Sequence, residues 1–80
     1  MIVYILYSEL KSKYYVGQTQ DFEKRLIRHN LGYVKSTKSG LPWKVVTIIE
    51  VKNRSEALIL EKKIKKRGAK RYLEDNQFGV

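Results

Sequence analysis

The chain has 80 residues, 42% of them hydrophobic, with 17 Lys and Arg against eight Asp and Glu for a formal charge of +9. That length suits one thin-cored domain, expected over 1–80, and that charge favours an anionic partner, nucleic acid foremost, over a merely soluble basic surface. The lack of cysteine excludes a disulfide scaffold, a zinc finger and a thiol nucleophile, and the single histidine, His29, excludes a multi-histidine metal site.

The first run, Ile2 to Tyr7, is β-branched and aromatic on both alternating faces. It reads as a central strand covered on both sides. Ser8 to Lys13 is polar and turns the chain into a second strand, Tyr14 to Gln18. A helix is expected over about Asp21 to Asn30. Thr19 or Asp21 can cap it, Asp21 and Glu23 fill its first turn, and Arg28 and His29 lie in its last. Gly32 stops it. Lys35 to Pro42 is a basic, hydroxyl-rich loop, and Trp43 to Val51 alternates as a third strand. Ser55 is the expected cap of a long helix, Glu56 to about Arg67, which Gly68 ends. Lys70 to Asn76 forms a short last helix anchored by Tyr72 and Leu73. The order β-β-α-β-α-α implies an α+β fold, a three-stranded antiparallel sheet with packed helices. No apolar run could span a bilayer and no stretch reads as a signal peptide, so a cytoplasmic protein is expected.

Three features sit where packing alone would not put them. On a wheel of about 100° per residue, the long helix has an apolar arc of Ala57, Leu58, Leu60 and Ile64, and Glu61 falls inside it. A carboxylate there is costly unless paired or metal-bound. Lys65, near the same arc, is the partner that would make Glu61 merely structural. On the first helix, Arg25 and His29 are four apart and share a face beside Phe22. Arg25 could fork onto a phosphate or pair with a surface carboxylate. His29 could equally be a satisfied helix-end residue. The third feature is six tyrosines, four of them in the first hairpin. If Tyr7 pairs with Tyr14, Tyr4 and Tyr15 share a face and Tyr4 lies opposite Gly17. A glycine there marks a close approach.

Val3-Tyr4-Ile5, then Tyr15-Val16-Gly17, then Arg25 in a following helix and Glu61 in a later one, together resemble the GIY-YIG nuclease superfamily. The fit runs from Ile2 to about Arg71. The tracts Tyr14 to Thr19, Glu23 to Asn30 and Ser55 to Glu61 are similar to those of its small stand-alone members. Ile2-Val3-Tyr4 stands where Gly-Ile-Tyr would, and Val16 replaces an isoleucine.

The resemblance implies hydrolysis of a DNA phosphodiester, with repair or recombination as its setting. Tyr4 would match the tyrosine that activates water, and Tyr15 would assist or orient it. Arg25 would steady charge on the phosphate. Glu61 would be the single carboxylate holding magnesium or manganese, and His29 falls at a proton-handling position. Asn76 is the late candidate for an asparagine that family members often carry. A free tyrosine has a pKa of about 10, so a tyrosine base must be shifted down; Arg25 and a bound cation are expected to do this.

Composition also allows a basic nucleic-acid-binding module that kept this fold without useful activity. A structural basic protein of ribosome or chromatin would leave Glu61 unexplained. Expected backbone contacts are Lys24, Arg28, Lys35, Lys38, Lys44 and Lys65, which position a protein without reading bases. No target-selecting domain fits in this length. Substrate choice is therefore expected from Lys35 to Lys44, the lysines of the long helix, a protein partner or a branched DNA shape, and self-association stands beside the protein partner as an expectation.

Overall fold

The β-branched run near the amino terminus forms β1 (Ile2–Ser8), the middle strand of a three-stranded antiparallel sheet. The computed structural model describes residues 1–76, so residues 77–80, the last of the expected domain, lie outside the described residues. β1 pairs with β2 (Lys13–Thr19) on one side and with β3 (Trp43–Glu50) on the other. The remaining elements are α1 (Phe22–Asn30), a 3-10 turn over Lys38–Gly40, α2 (Arg54–Arg67) and α3 (Ala69–Asp75). This is the expected β-β-α-β-α-α architecture. Among the described residues no helix is long and apolar enough to cross a membrane.

Successive side chains of a strand point to opposite faces, so a middle strand covered on both sides must be apolar throughout. Val3 and Ile5 are buried with Val16, Ala57, Ile64, Tyr72 and Leu73, on the face that α2 and α3 cover. Tyr4 and Leu6 pack with Trp43, Tyr15, Phe22, Leu26 and Leu41, on the face that α1 and its following loop cover. Tyr7 stands opposite Tyr14, and Tyr4 opposite Gly17, as the tyrosine pattern required. β1 and β3 pair with a register shift between Ile5 and Leu6.

Helix ends follow local chemistry. Asp21 caps α1, its carboxylate accepting from the Lys24 N–H at 3.1 Å. α2 starts earlier than expected. Asn53, not Ser55, accepts from the Glu56 N–H at 2.9 Å, and Glu56 reaches back to the Lys52 N–H at 2.9 Å. A cap must lie three residues before the amide it satisfies, which puts Ser55 inside the first turn. Gly68, at φ 92°, breaks α2 from α3 in a conformation that a side chain disfavours. α3 buries Tyr72 and Leu73 as anchors. The buried arc of α2 is narrower than the wheel implied. Ala57 and Ile64 are fully buried and Leu60 packs against them, whereas Leu58 is largely exposed.

Candidate active site

Tyr4 occupies the centre of β1 and has no exposed surface. The gap its ring needs is made by Gly17 across the hairpin: a Cβ there would lie 2.5 Å from the Tyr4 hydroxyl. Phe22 and Tyr15 flank the ring, with centroids 5.3 and 6.3 Å away. α1 runs over this face. The four-residue spacing aims Arg25 and His29 at one atom. Arg25 Nε donates to the Tyr4 oxygen at 3.3 Å, and His29 Nε2 lies 2.9 Å from it. Among the described residues Arg25 makes no ion pair with a carboxylate, so the surface-pair reading of this arginine fails. Its bonding to Tyr4, and secondarily to Tyr15, holds its positive charge in place.

His29 is fully buried and bonded at both ring nitrogens. Nδ1 meets Thr37 Oγ1 at 2.7 Å, and the ring stacks edge-on to Tyr15 at 5.0 Å. Burial, and then the charge of Arg25, push its pKa below the ordinary 6.5. The neutral ring is therefore the resting form.

Arg25 alone does not bring the Tyr4 pKa down as expected. Burial raises it above 10 and outweighs the opposing bond from Arg25; Tyr15 and Glu61 push the same way as burial. The arginine acts in the expected direction and loses to desolvation.

Glu61 comes from α2, in the layer on the other side of the sheet. Its side chain is 16% exposed, and Lys65 Nζ stands 3.4 Å away, one turn along the helix. That loose contact is the pairing that the structural reading of Glu61 required. The carboxylate still acts on the Tyr4 phenol through space, so it belongs to the same electrostatic neighbourhood. Its oxygens suit a hard cation. Among the described residues no three His, Cys, Asp or Glu cluster, so such a cation would draw its other ligands from water and phosphate.

The basic residues separate into two groups. Lys24 and Arg28 on α1, and Lys35 and Lys38 in the loop after it, are exposed and have no ion-pair partner among the described residues. Lys44 pairs with Glu9, and Lys65 with Glu61. Asn76 is not brought to the site. Its amide donates to the Tyr72 carbonyl at 2.8 Å, at the end of α3 on the opposite face.

Sequence reasoning missed Thr37, Trp43 and Asn30. Thr37 is fully buried within a basic loop whose lysines and serines are exposed. Trp43 Nε1 donates to the Thr37 carbonyl at 2.6 Å, and the Trp43 N–H donates to Asn30 Oδ1 at 3.1 Å. Gly40 completes the clasp, since a Cβ there would lie 2.5 Å from the Trp43 ring. A hydroxyl among lysines carries no burial signal of its own; the tryptophan six residues later was the available one.

The buried neutral histidine has a consequence for stability. Below pH 6.5 the unfolded imidazole takes up a proton that the folded one resists, so stability is expected to fall as pH drops from 6.5 towards 5. The depressed carboxylates, Glu9 and Asp75, start from 4.5 and 3.8, so their loss comes at lower pH. Thermal melts across pH 5–7.5 check this. His29→Gln should flatten the profile there, and an equally steep profile would exclude His29 as its source.

A buried phenol held between a guanidinium and an imidazole, with a carboxylate from the opposite layer, on a β-β-α-β-α-α sheet, defines a GIY-YIG domain. Residues 1–73 match the GIY-YIG catalytic domain family, and the chain belongs to it. It is also similar to the UPF0213 protein YsiG of Lactococcus lactis subsp. lactis, at 42% identity over 48 residues. That match covers 59% of this chain and 46% of the relative, so the chain aligns with less than half of the relative's length. The relative's name states no activity. No solved structure matches the chain significantly.

Proposed function

We propose that this domain is a metal-dependent endonuclease that hydrolyses DNA phosphodiester bonds. The observation that carries the reading is the Tyr4 oxygen, bracketed by Arg25 at 3.3 Å and His29 at 2.9 Å. Binding alone requires no such convergence.

A phosphodiester resists attack because its own charge repels nucleophiles. Arg25 meets that charge as it grows on the phosphate and steadies the Tyr4 phenolate when it forms. Tyr4 takes the proton of the attacking water, with His29 as the neighbour that relieves Tyr4 of its own. Tyr4 is sealed, so the water's proton reaches it past the partly exposed Tyr15 or after the Arg25 side chain shifts. On the first route Tyr15 orients the water. Glu61 would hold magnesium or manganese, which when bound supplies charge neutralisation and a more acidic water.

A second reading is a nucleic-acid-binding module without useful activity. The Glu61–Lys65 contact and the raised Tyr4 pKa favour it. Both readings predict the same binding. With Lys24, Arg28, Lys35 and Lys38 as about four phosphate contacts, a fourfold rise in salt should weaken affinity by roughly 150-fold, with little sequence preference. Cleavage separates them. Plasmid, single-stranded and branched DNA, and RNA, are incubated with magnesium and wild-type protein or Tyr4→Phe. The nuclease reading expects cutting by wild type alone. Binding with no cutting of any substrate, or equal cutting by Tyr4→Phe, overturns it.

A further inference from the structure

The Tyr4–His29 contact does not by itself say which atom carries the proton. A histidine whose proton sat on Nε2 would present a donor to Tyr4 and could not relieve it of anything. The surrounding bonds decide the matter from both ends.

At the Tyr4 end, arginine has donors only. Arg25 Nε–H already points at the Tyr4 oxygen at 3.3 Å. The phenol's own hydrogen must therefore go elsewhere. Among the described residues its one hydrogen-bond acceptor is His29 Nε2, at 2.9 Å. An unprotonated Nε2 therefore gives a neutral Tyr4 its one bond as a donor.

At the other end, a threonine hydroxyl has one hydrogen to give. Thr37 Oγ1 directs it to the Val34 carbonyl at 3.3 Å. Its lone pairs then face His29 Nδ1 at 2.7 Å, so Nδ1 is the protonated nitrogen. Both ends favour the same tautomer, and each supplies one bond's worth of preference, so losing either bond leaves a mixture. Thr37 is itself fixed. It is fully buried, its N–H donates to the Val34 carbonyl at 3.1 Å, and its carbonyl accepts from the Trp43 indole at 2.6 Å. The groups facing the imidazole are Tyr4 from β1, Tyr15 from β2, Arg25 from its own helix and Thr37 from the loop.

We propose that Thr37 is a positioning residue, which pins His29 with its proton on Nδ1 so that Nε2 is the receiver of the Tyr4 proton. When the phenol ionises, its O–H bond breaks and an Nε2–H bond forms. The products are a phenolate facing Arg25 and an imidazolium whose Nδ1–H stays on Thr37. Once the phenolate has taken a proton from the attacking water, Tyr4 passes one to the leaving oxygen and takes the Nε2 proton back, which restores the neutral pair. A hydroxyl in the basic loop thereby sets the direction of a proton transfer that it never touches. The catalytic meaning of this rests on the nuclease reading above; the tautomer does not.

His29 is the single histidine of the chain, so a ¹⁵N spectrum of the imidazole is free of overlap. At pH 7.5 wild type is expected to show a protonated Nδ1 and a bare Nε2. Thr37→Val removes the acceptor and should give a mixture of tautomers, while Thr37→Ser restores the wild-type spectrum. Thr37→Ala provides the same comparison if the valine variant does not fold. Where the protein cuts DNA, Thr37→Val should lower kcat by about tenfold to a hundredfold with KM unchanged, and Thr37→Ser should recover it. A wild-type spectrum with the proton on Nε2 overturns the proposal. So does a Thr37→Val or Thr37→Ala spectrum identical to wild type. The spectrum needs no substrate: a protein with the expected tautomer that cuts nothing fails only as a nuclease.

Discussion

Glu61→Gln is expected to slow DNA cleavage by about a hundredfold or more while leaving salt-dependent DNA binding intact. The two side chains have nearly the same shape, so packing against α2 is kept. What goes is the charge that would hold a cation. Lys65 loses its partner, but a loose 3.4 Å helix pair with an exposed lysine contributes little to stability, so the melting temperature should barely move. Removing a negative charge beside a basic surface leaves binding equal or slightly tighter. Loss of cutting with retained fold and retained binding would separate Glu61 from every structural residue nearby. A variant that cuts at the wild-type rate sinks its assignment as the metal carboxylate. Kinetics at several magnesium concentrations, beside a binding isotherm, provide the measurement.

Gly17→Ala is expected to act on the same reaction through geometry alone. Gly17 is not among the positive-φ residues of the chain, so its backbone would accept alanine. The added methyl, however, would lie 2.5 Å from the Tyr4 hydroxyl and 3.1 Å from the Tyr15 ring. Neither ring can retreat easily, because Tyr4 is fully buried and packed against Phe22 and His29. The Tyr4 oxygen must then move relative to Arg25 and His29. A misplacement of this size costs about a hundredfold in rate, and overpacking costs about 1–3 kcal/mol in stability. Urea melts and single-turnover rates read the two effects separately. An alanine variant with the wild-type rate would show that the hairpin tolerates the wedge, and that Tyr4 does not need its present position.

Much of this arrangement is legible in residue order. The tyrosine pairs set the hairpin register, because a shift by one residue would have moved Tyr4 and Tyr15 to opposite faces. Helix periodicity placed Glu61 on the inner arc and Arg25 with His29 on one face. What periodicity cannot carry is the outcome of competing local bonds. Asn53 and Ser55 are both good caps, and only the position of the Glu56 amide chooses between them. The direction of the Tyr4 pKa depends on how much water its ring loses against what one guanidinium returns. Thr37 was invisible for a related reason. Its burial comes from Trp43 folding back over the loop, a tertiary contact that no pattern within Lys35 to Pro42 encodes.

The sealed position of Tyr4 bears on how such a domain would drift once released from cutting DNA. Tyr4, His29 and Thr37 are as much core as chemistry, so replacing any one of them strands a buried partner at a cost of about 1–3 kcal/mol. A small domain tolerates few such losses. Glu61, half-buried but held by one loose contact to an exposed lysine, strands no buried partner when replaced. In a descendant that only binds, the carboxylate would decay first while the tyrosine–histidine pair lingered as a fossil of packing, which makes the charge at position 61 the more telling mark of a working enzyme.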